Sequence, residues 1–157
     1  MNRQARRERP TIAPRLSERE ETALLWRLER AGRRIDEDRE AALNAYGLST
    51  AKLSVLKHLI QAGEPLPLGH LAARLTCVKS NITQLIDRLE REGLVQRVPD
   101  SDDRRCLRAA ITEEGRRRCV LGTKAELQVE HLLLSSFSRR EQKDLAVLLA
   151  KFELDGT

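Results

Sequence analysis

Apolar residues recur along this chain with two periods, and the switch between them marks out its plan. Ser17-Glu18-Arg19-Glu20 reads as a capping box, in which the Ser hydroxyl and the Glu carboxylate each satisfy an orphan N–H. Behind it Leu24, Leu25, Trp26, Leu28, Ala31 and Ile35 describe a long helix, which Gly47 after Tyr46 is placed to stop. Ser49 is suited to cap a second helix that carries Leu53, Leu56, Leu59 and Ile60 and ends at Ala62-Gly63. Pro65 and Pro67 keep the next stretch from being helical throughout, because each restricts the residue before it. A short third helix is expected from about Leu68 to Leu75, then a turn at Thr76-Cys77-Val78, then a fourth helix from Lys79 to Glu92. Ile82, Leu85, Ile86 and Leu89 fall on one stripe of that fourth helix, and Gly93 terminates it.

The period then shortens. Leu94 to Val98 and Leu107 to Ile111 read as short strands joined by a polar loop from Pro99 to Arg105, together a hairpin. Thr112-Glu113-Glu114 opens a fifth helix with a capping hydroxyl and two acids at the positive helix end; it continues through Val120, Leu121, Leu127, Leu132 and Leu133. Ser138-Arg139-Arg140-Glu141 is a second capping box, starting a last helix expected to turn Leu145, Leu148, Leu149 and Phe152 inward. The fold class is therefore mainly α with a small β-hairpin wing (α+β). Helix, turn, helix and hairpin over Leu66 to Ile111 follow the winged helix-turn-helix plan.

Charge narrows the function. Among 157 residues, 29 Lys and Arg stand against 24 Asp and Glu, a net charge of +5. A basic balance favours a polyanionic partner, nucleic acid or an anionic membrane surface. Arg3, Arg6, Arg7, Arg9 and Arg15 crowd the first fifteen residues, which also hold Pro10 and Pro14. This stretch reads as a disordered basic arm, either touching DNA phosphates or simply solvated. No apolar run approaches the ~20 residues of a membrane span, and no apolar core of a secretory signal is present, so the cytoplasm is the expected compartment. Cys77, Cys106 and Cys119 are odd in number and lack CxxC spacing, which argues against a disulfide framework or a zinc knuckle. His58, His70 and His131 lack an i, i+4 pair, so no metal is expected. There is no nucleophile elbow, phosphate loop or dinucleotide fingerprint, and the chain reads as a non-enzyme without cofactor.

The fourth helix carries the candidate chemistry. Opposite its apolar stripe lie Ser80, Asn81, Thr83, Gln84, Asp87 and Arg88, a set that suits the major groove. Asn and Gln pair with adenine, Arg pairs with guanine, and Thr touches a thymine methyl. Lys79 in the first turn, with backbone N–H groups beside it, suits a phosphate. A solvated helix face has the same composition. In the loop Asp100-Ser101-Asp102-Asp103-Arg104-Arg105, adjacent Arg side chains at a hairpin tip can reach a minor groove, and carboxylates can hold them extended; an ordinary charged turn also fits.

Taken together, Leu71-Ala72-Ala73-Arg74-Leu75, the run Ile82 to Val95, Asp100 to Arg105 and Ile111-Thr112-Glu113-Glu114-Gly115 resemble the MarR family of bacterial transcription regulators. The resemblance is close from about Leu48 to Gly115. It departs at Val78, where the family usually has a small hydroxyl-bearing helix cap, and at Lys79, where proline is frequent. The resemblance implies a homodimer with interlocking N- and C-terminal helices and two winged lobes on a pseudo-palindromic operator in double-stranded DNA. It implies that Ser80, Asn81, Thr83, Gln84 and Arg88 face the groove, with Arg104, braced by Asp102 and flanked by Arg105, at the wing. The chain then divides into an arm (1–15), a dimerisation helix (16–47), the DNA-binding lobe (48–111) and C-terminal dimerisation helices (112–157). The leucines of the first, fifth and sixth helices, more than a small winged lobe can cover, agree with a dimer.

The resemblance also implies a repressor released when a small anionic or phenolic compound binds between dimer helices and winged lobe, with Trp26 and His58 lining that pocket; core packing is the other reading of both. A redox-responsive regulator of the same fold is the alternative, with Cys106 beside the wing arginines its candidate thiol. The first helix lacks the cysteine that some relatives use to sense oxidants. Cys77 and Cys119 read as packing. A nonspecific basic nucleic-acid binder is the further alternative, and an enzyme or carrier on a helical scaffold the remotest.

Overall fold

The computed structural model describes residues 17–75, 79–100 and 107–154. Six helices and three strands follow in the order α1 (Glu18–Asn44), α2 (Thr50–Ala62), β1 (Leu66–Pro67), α3 (Leu68–Arg74), α4 (Lys79–Arg91), β2 (Val95–Pro99), β3 (Leu107–Ile111), α5 (Glu113–Leu134) and α6 (Arg139–Leu154). The chain falls into two units, residues 1–34 and 35–157.

Local chemistry accounts for the helix ends. Ser49 Oγ accepts from Lys52 N at 3.2 Å, and Thr112 Oγ1 from Gly115 N at 3.0 Å. In the box before α6, Ser138 N donates to Glu141 Oε2 at 2.8 Å and Glu141 N to Ser138 Oγ at 3.3 Å. At Ser17 the carboxylate half is present, Ser17 N donating to Glu20 at 2.9 Å. Helix α4 stops where Gly93, at φ 70°, lets Leu94 N fold back onto Leu89 O at 2.8 Å, a left-handed turn that costs a side-chain-bearing residue a steric penalty.

Two expectations need correction. The Pro-rich Glu64–Pro67 segment, anticipated only as non-helical, supplies a third strand. Leu66 and Pro67 pair antiparallel with Ala109 and Arg108, giving the sheet order β1-β3-β2. Proline is tolerated there because β1 is an edge strand. The hairpin itself forms as expected, one residue further along its first strand, with Val95 opposite Ile111 and Pro99 opposite Leu107. Second, α6 does not bury its apolar positions in the single chain. Leu148, Leu149 and Phe152 are exposed, and Leu145 is half-buried.

The core of the second unit gathers Leu53, Val55, Leu56 and Leu59 of α2, Leu71 of α3, Ile82, Ile86 and Leu89 of α4, then Leu94, Val95 and Ala109. These side chains are all but removed from water, each contributing on the order of 1.5–3 kcal/mol for a Val, Leu or Ile. Ion pairs tie the surrounding helices: Arg39 of α1 to Glu130 of α5, Lys57 of α2 to Glu126 of α5, and Lys52 of α2 to Glu92 just past α4. Glu40 of α1 accepts from Thr50 N at 2.9 Å, anchoring the start of α2. In the first unit Leu24, Leu25, Trp26 and Leu28 are exposed. Among the described residues, no helix is long and apolar enough to cross a membrane.

Candidate nucleic-acid interface

Helix α4 separates its two faces sharply. Ile82, Ile86 and Leu89 are sealed in the core, while Asn81, Thr83, Gln84 and Arg88 are exposed. The buried stripe fixes the helix rotation, so the polar side chains are held outward by packing beneath them. Asn81, Gln84 and Arg88, spaced three and four residues apart, share one side of the helix. With Leu85, Leu75 and residues Thr50, Ala51 and Ser54 of α2 they line an open cleft of about 620 Å³. Lys79 and Ser80 lie in the first turn of α4; their side chains fall outside the described residues, as do the cap position Val78 and neighbouring Cys77.

Asp87, grouped by its spacing with the groove-facing set, is engaged elsewhere. Arg97 of β2 forms ion pairs with both Asp87 and Glu90 of α4, and its backbone N–H donates to Glu90 Oε1 at 2.9 Å. The hydrogen bond that Arg97 donates to Asp87 and its pairing with Glu90 hold the guanidinium even more firmly protonated than usual. At the base of the hairpin loop, Arg108 Nε donates to Asp100 Oδ2 at 2.5 Å. Asp100 is the one buried charged side chain among the described residues, and burial of a carboxylate demands such a partner.

The loop tip, with Asp102, Arg104, Arg105 and Cys106, lies outside the described residues. Arg97 and Arg108 escaped notice in the sequence because their strands are short and their partners distant. The available signal was an arginine beside Val95 and Val98 in a strand, with carboxylates three residues apart on the preceding helix.

Trp26 is half-exposed on α1 with Arg30 stacked 5.4 Å from its ring centroid. His58 is half-buried on α2, its Nδ1–H donating to Ser54 O at 2.8 Å. Cys119 is buried on α5, and burial pushes its thiol pKa up, the opposite of a reactive thiolate.

The family model described as MarR family matches residues 48–107. The chain is 28% identical to the HTH-type transcriptional regulator PecS of Dickeya dadantii over 96% of its own length and 89% of the relative's. It is 32% identical to the uncharacterized HTH-type transcriptional regulator YkoM of Bacillus subtilis over 68% of each chain. Its fold matches CouR of Rhodococcus jostii RHA1, solved bound to p-coumaroyl-CoA, with a TM-score of 0.70 and 26% identity over 90% of this chain and 99% of that one. The family match runs from before α2 to the first residue of β3 and so includes α4, where the polar face is built: this chain belongs to the MarR family and is a DNA-binding transcriptional regulator with a winged helix-turn-helix fold.

Proposed function

We propose that the protein is a ligand-responsive repressor that binds a pseudo-palindromic operator as a homodimer, without catalysing a reaction. One observation carries this reading: Asn81, Thr83, Gln84 and Arg88 stand exposed on a helix whose opposite face is locked into the core. In this reading α4 enters the major groove with Ser80 and those side chains at base edges, Lys79 approaches a phosphate, and the loop residues Arg104 and Arg105, steadied by Asp102, reach the minor groove. Leu127, Leu132, Phe137, Leu148 and Phe152, exposed on α5, α6 and the turn between them, supply apolar surface for a second copy. Two-fold symmetry then sets the recognition helices about 34 Å apart, one turn of DNA.

The effector in this reading is a small anionic or phenolic compound. CouR, bound to p-coumaroyl-CoA, supports that class. The test is selection of genomic DNA fragments on the purified protein at about 150 mM salt, followed by sequencing. Recovery of an inverted repeat with half-sites one helical turn apart establishes the dimeric operator binder. Fragments without common sequence defeat it. Release of the recovered fragment by phenolic carboxylates or their thioesters checks the effector class.

A further inference from the structure

One side chain of the wing strand makes ion pairs with two carboxylates of the recognition helix. Arg97 lies opposite the fully buried Ala109 in the hairpin register, so its stem is on the sheet face turned toward the core. From there its guanidinium reaches out to Asp87 and Glu90, one turn apart on α4. The Arg97 side chain keeps 20% of its exposure, against 48% for Asp87 and 36% for Glu90, so the cation is the better-shielded member. The sheet order leaves β2 an edge strand, and Arg97 N–H donates to Glu90. A planar fork held by two carboxylates and a backbone bond fixes direction as well as distance. α4 and β2 are also linked through the Gly93 turn and by the core they share, where Ile86 and Leu89 gather with Val95.

We propose that Arg97 is a positioning residue of the DNA-reading surface: by gripping Asp87 and Glu90 it holds wing strand β2 and helix α4 at one mutual angle, so that both meet the duplex together. This rests on the reading above, in which α4 and the wing contact DNA. Asp87 thereby serves the clamp and not base reading, and Arg97 acts through α4 and touches no base. A clamp governs how well the surface matches one sequence, whereas charge alone shifts affinity for every duplex alike.

The experiment measures preference, the affinity for the selected genomic fragment divided by that for a random duplex of equal length and salt. Arg97→Met is expected to lower the preference by about tenfold or more, a coupling typical of directly linked charged groups. Arg97→Lys, a point charge without the fork, regains part of it. Asp87→Asn with Glu90→Gln lowers the preference as well, although it removes negative charge and raises affinity for the random duplex. Equal losses on both duplexes for Arg97→Met overturn the clamp in favour of simple charge. So does an undiminished preference in the Asp87→Asn, Glu90→Gln variant, which decides the matter alone should Arg97→Met fail to fold. Gln84→Ala and Arg88→Ala separate the two levels. If they lower preference and the clamp variants do not, the clamp fails alone; if they too leave it unchanged, the reading of α4 fails and the clamp falls with it.

Discussion

The carbonyl oxygen of Leu94 would stand 2.1 Å from a Cβ at Gly115. That oxygen also accepts from Thr112 N at 3.1 Å, so it cannot retreat without loosening the start of α5. Gly115 is a close approach of backbone to backbone between the turn after α4 and the first turn of α5. Gly115→Ala is expected to destabilise the protein by about 2–3 kcal/mol despite alanine's better helix propensity, because the displaced atom is main chain. Urea denaturation of the two proteins checks this, and equal midpoints would refute it.

Lys52 Nζ donates to Gly47 O at 3.2 Å and to both Glu92 oxygens at 2.7 and 2.8 Å, joining the turn before α2 to the turn after α4. With the lysine side chain at 17% exposure, the pair is sheltered more than an ordinary surface bridge. Lys52→Met should cost about 1 kcal/mol, with a matching loss for Glu92→Gln and less than additive loss for the pair. A double-mutant cycle by chemical denaturation reads the coupling directly.

Glu114 accepts from Arg117 and Arg118, and Arg118 in turn donates to Tyr46 O. Chiefly the Arg117 hydrogen bond, then that from Arg118, brings the Glu114 carboxyl from its ordinary 4.5 to about 2. A depressed acid stabilises the fold above its ordinary value, and that contribution is lost as pH falls toward the folded value. The stability difference between the native chain and Glu114→Gln should be constant above pH ~5 and shrink steadily between about 4.5 and 2. Denaturation series at stepped pH test the sign, and carbon-13 NMR of the carboxyl tests the value.

Arg88→Ala and Gln84→Ala are each expected to cost about 1–3 kcal/mol of specific DNA binding, and Arg104→Ala a similar amount at the wing. Affinity should fall steeply between 50 and 200 mM salt if about six to ten phosphates are neutralised. Fluorescence anisotropy on the selected fragment measures both, and unchanged affinity for a variant removes that residue from the interface.

Leu148→Glu places a charge on an exposed apolar face of α6. If that face meets a second copy, light scattering should show the mass halved and specific DNA binding reduced with it. An unchanged mass puts the dimer contact elsewhere.

The helices and the hairpin are legible in the chain because their signals are local. Ser49, Gly63, Gly93, Thr112 and Ser138 terminate helices by hydrogen bonds or backbone angles set within four residues, and the Ile82-Leu85-Ile86-Leu89 stripe fixes which face of α4 is polar. What the order of residues leaves open is every contact made across long separations. The β1 strand exists only because Leu66 meets Ala109, and Gly115 matters only because Leu94 passes beside it. Asp87 belongs to the polar face by spacing, yet Arg97 draws it into an ion pair ten residues away. Periodicity reports how a side chain stands to its own element. Which partner it finds depends on how elements pack, and that is decided by burying the apolar face of α2, α3 and α4 against the small sheet.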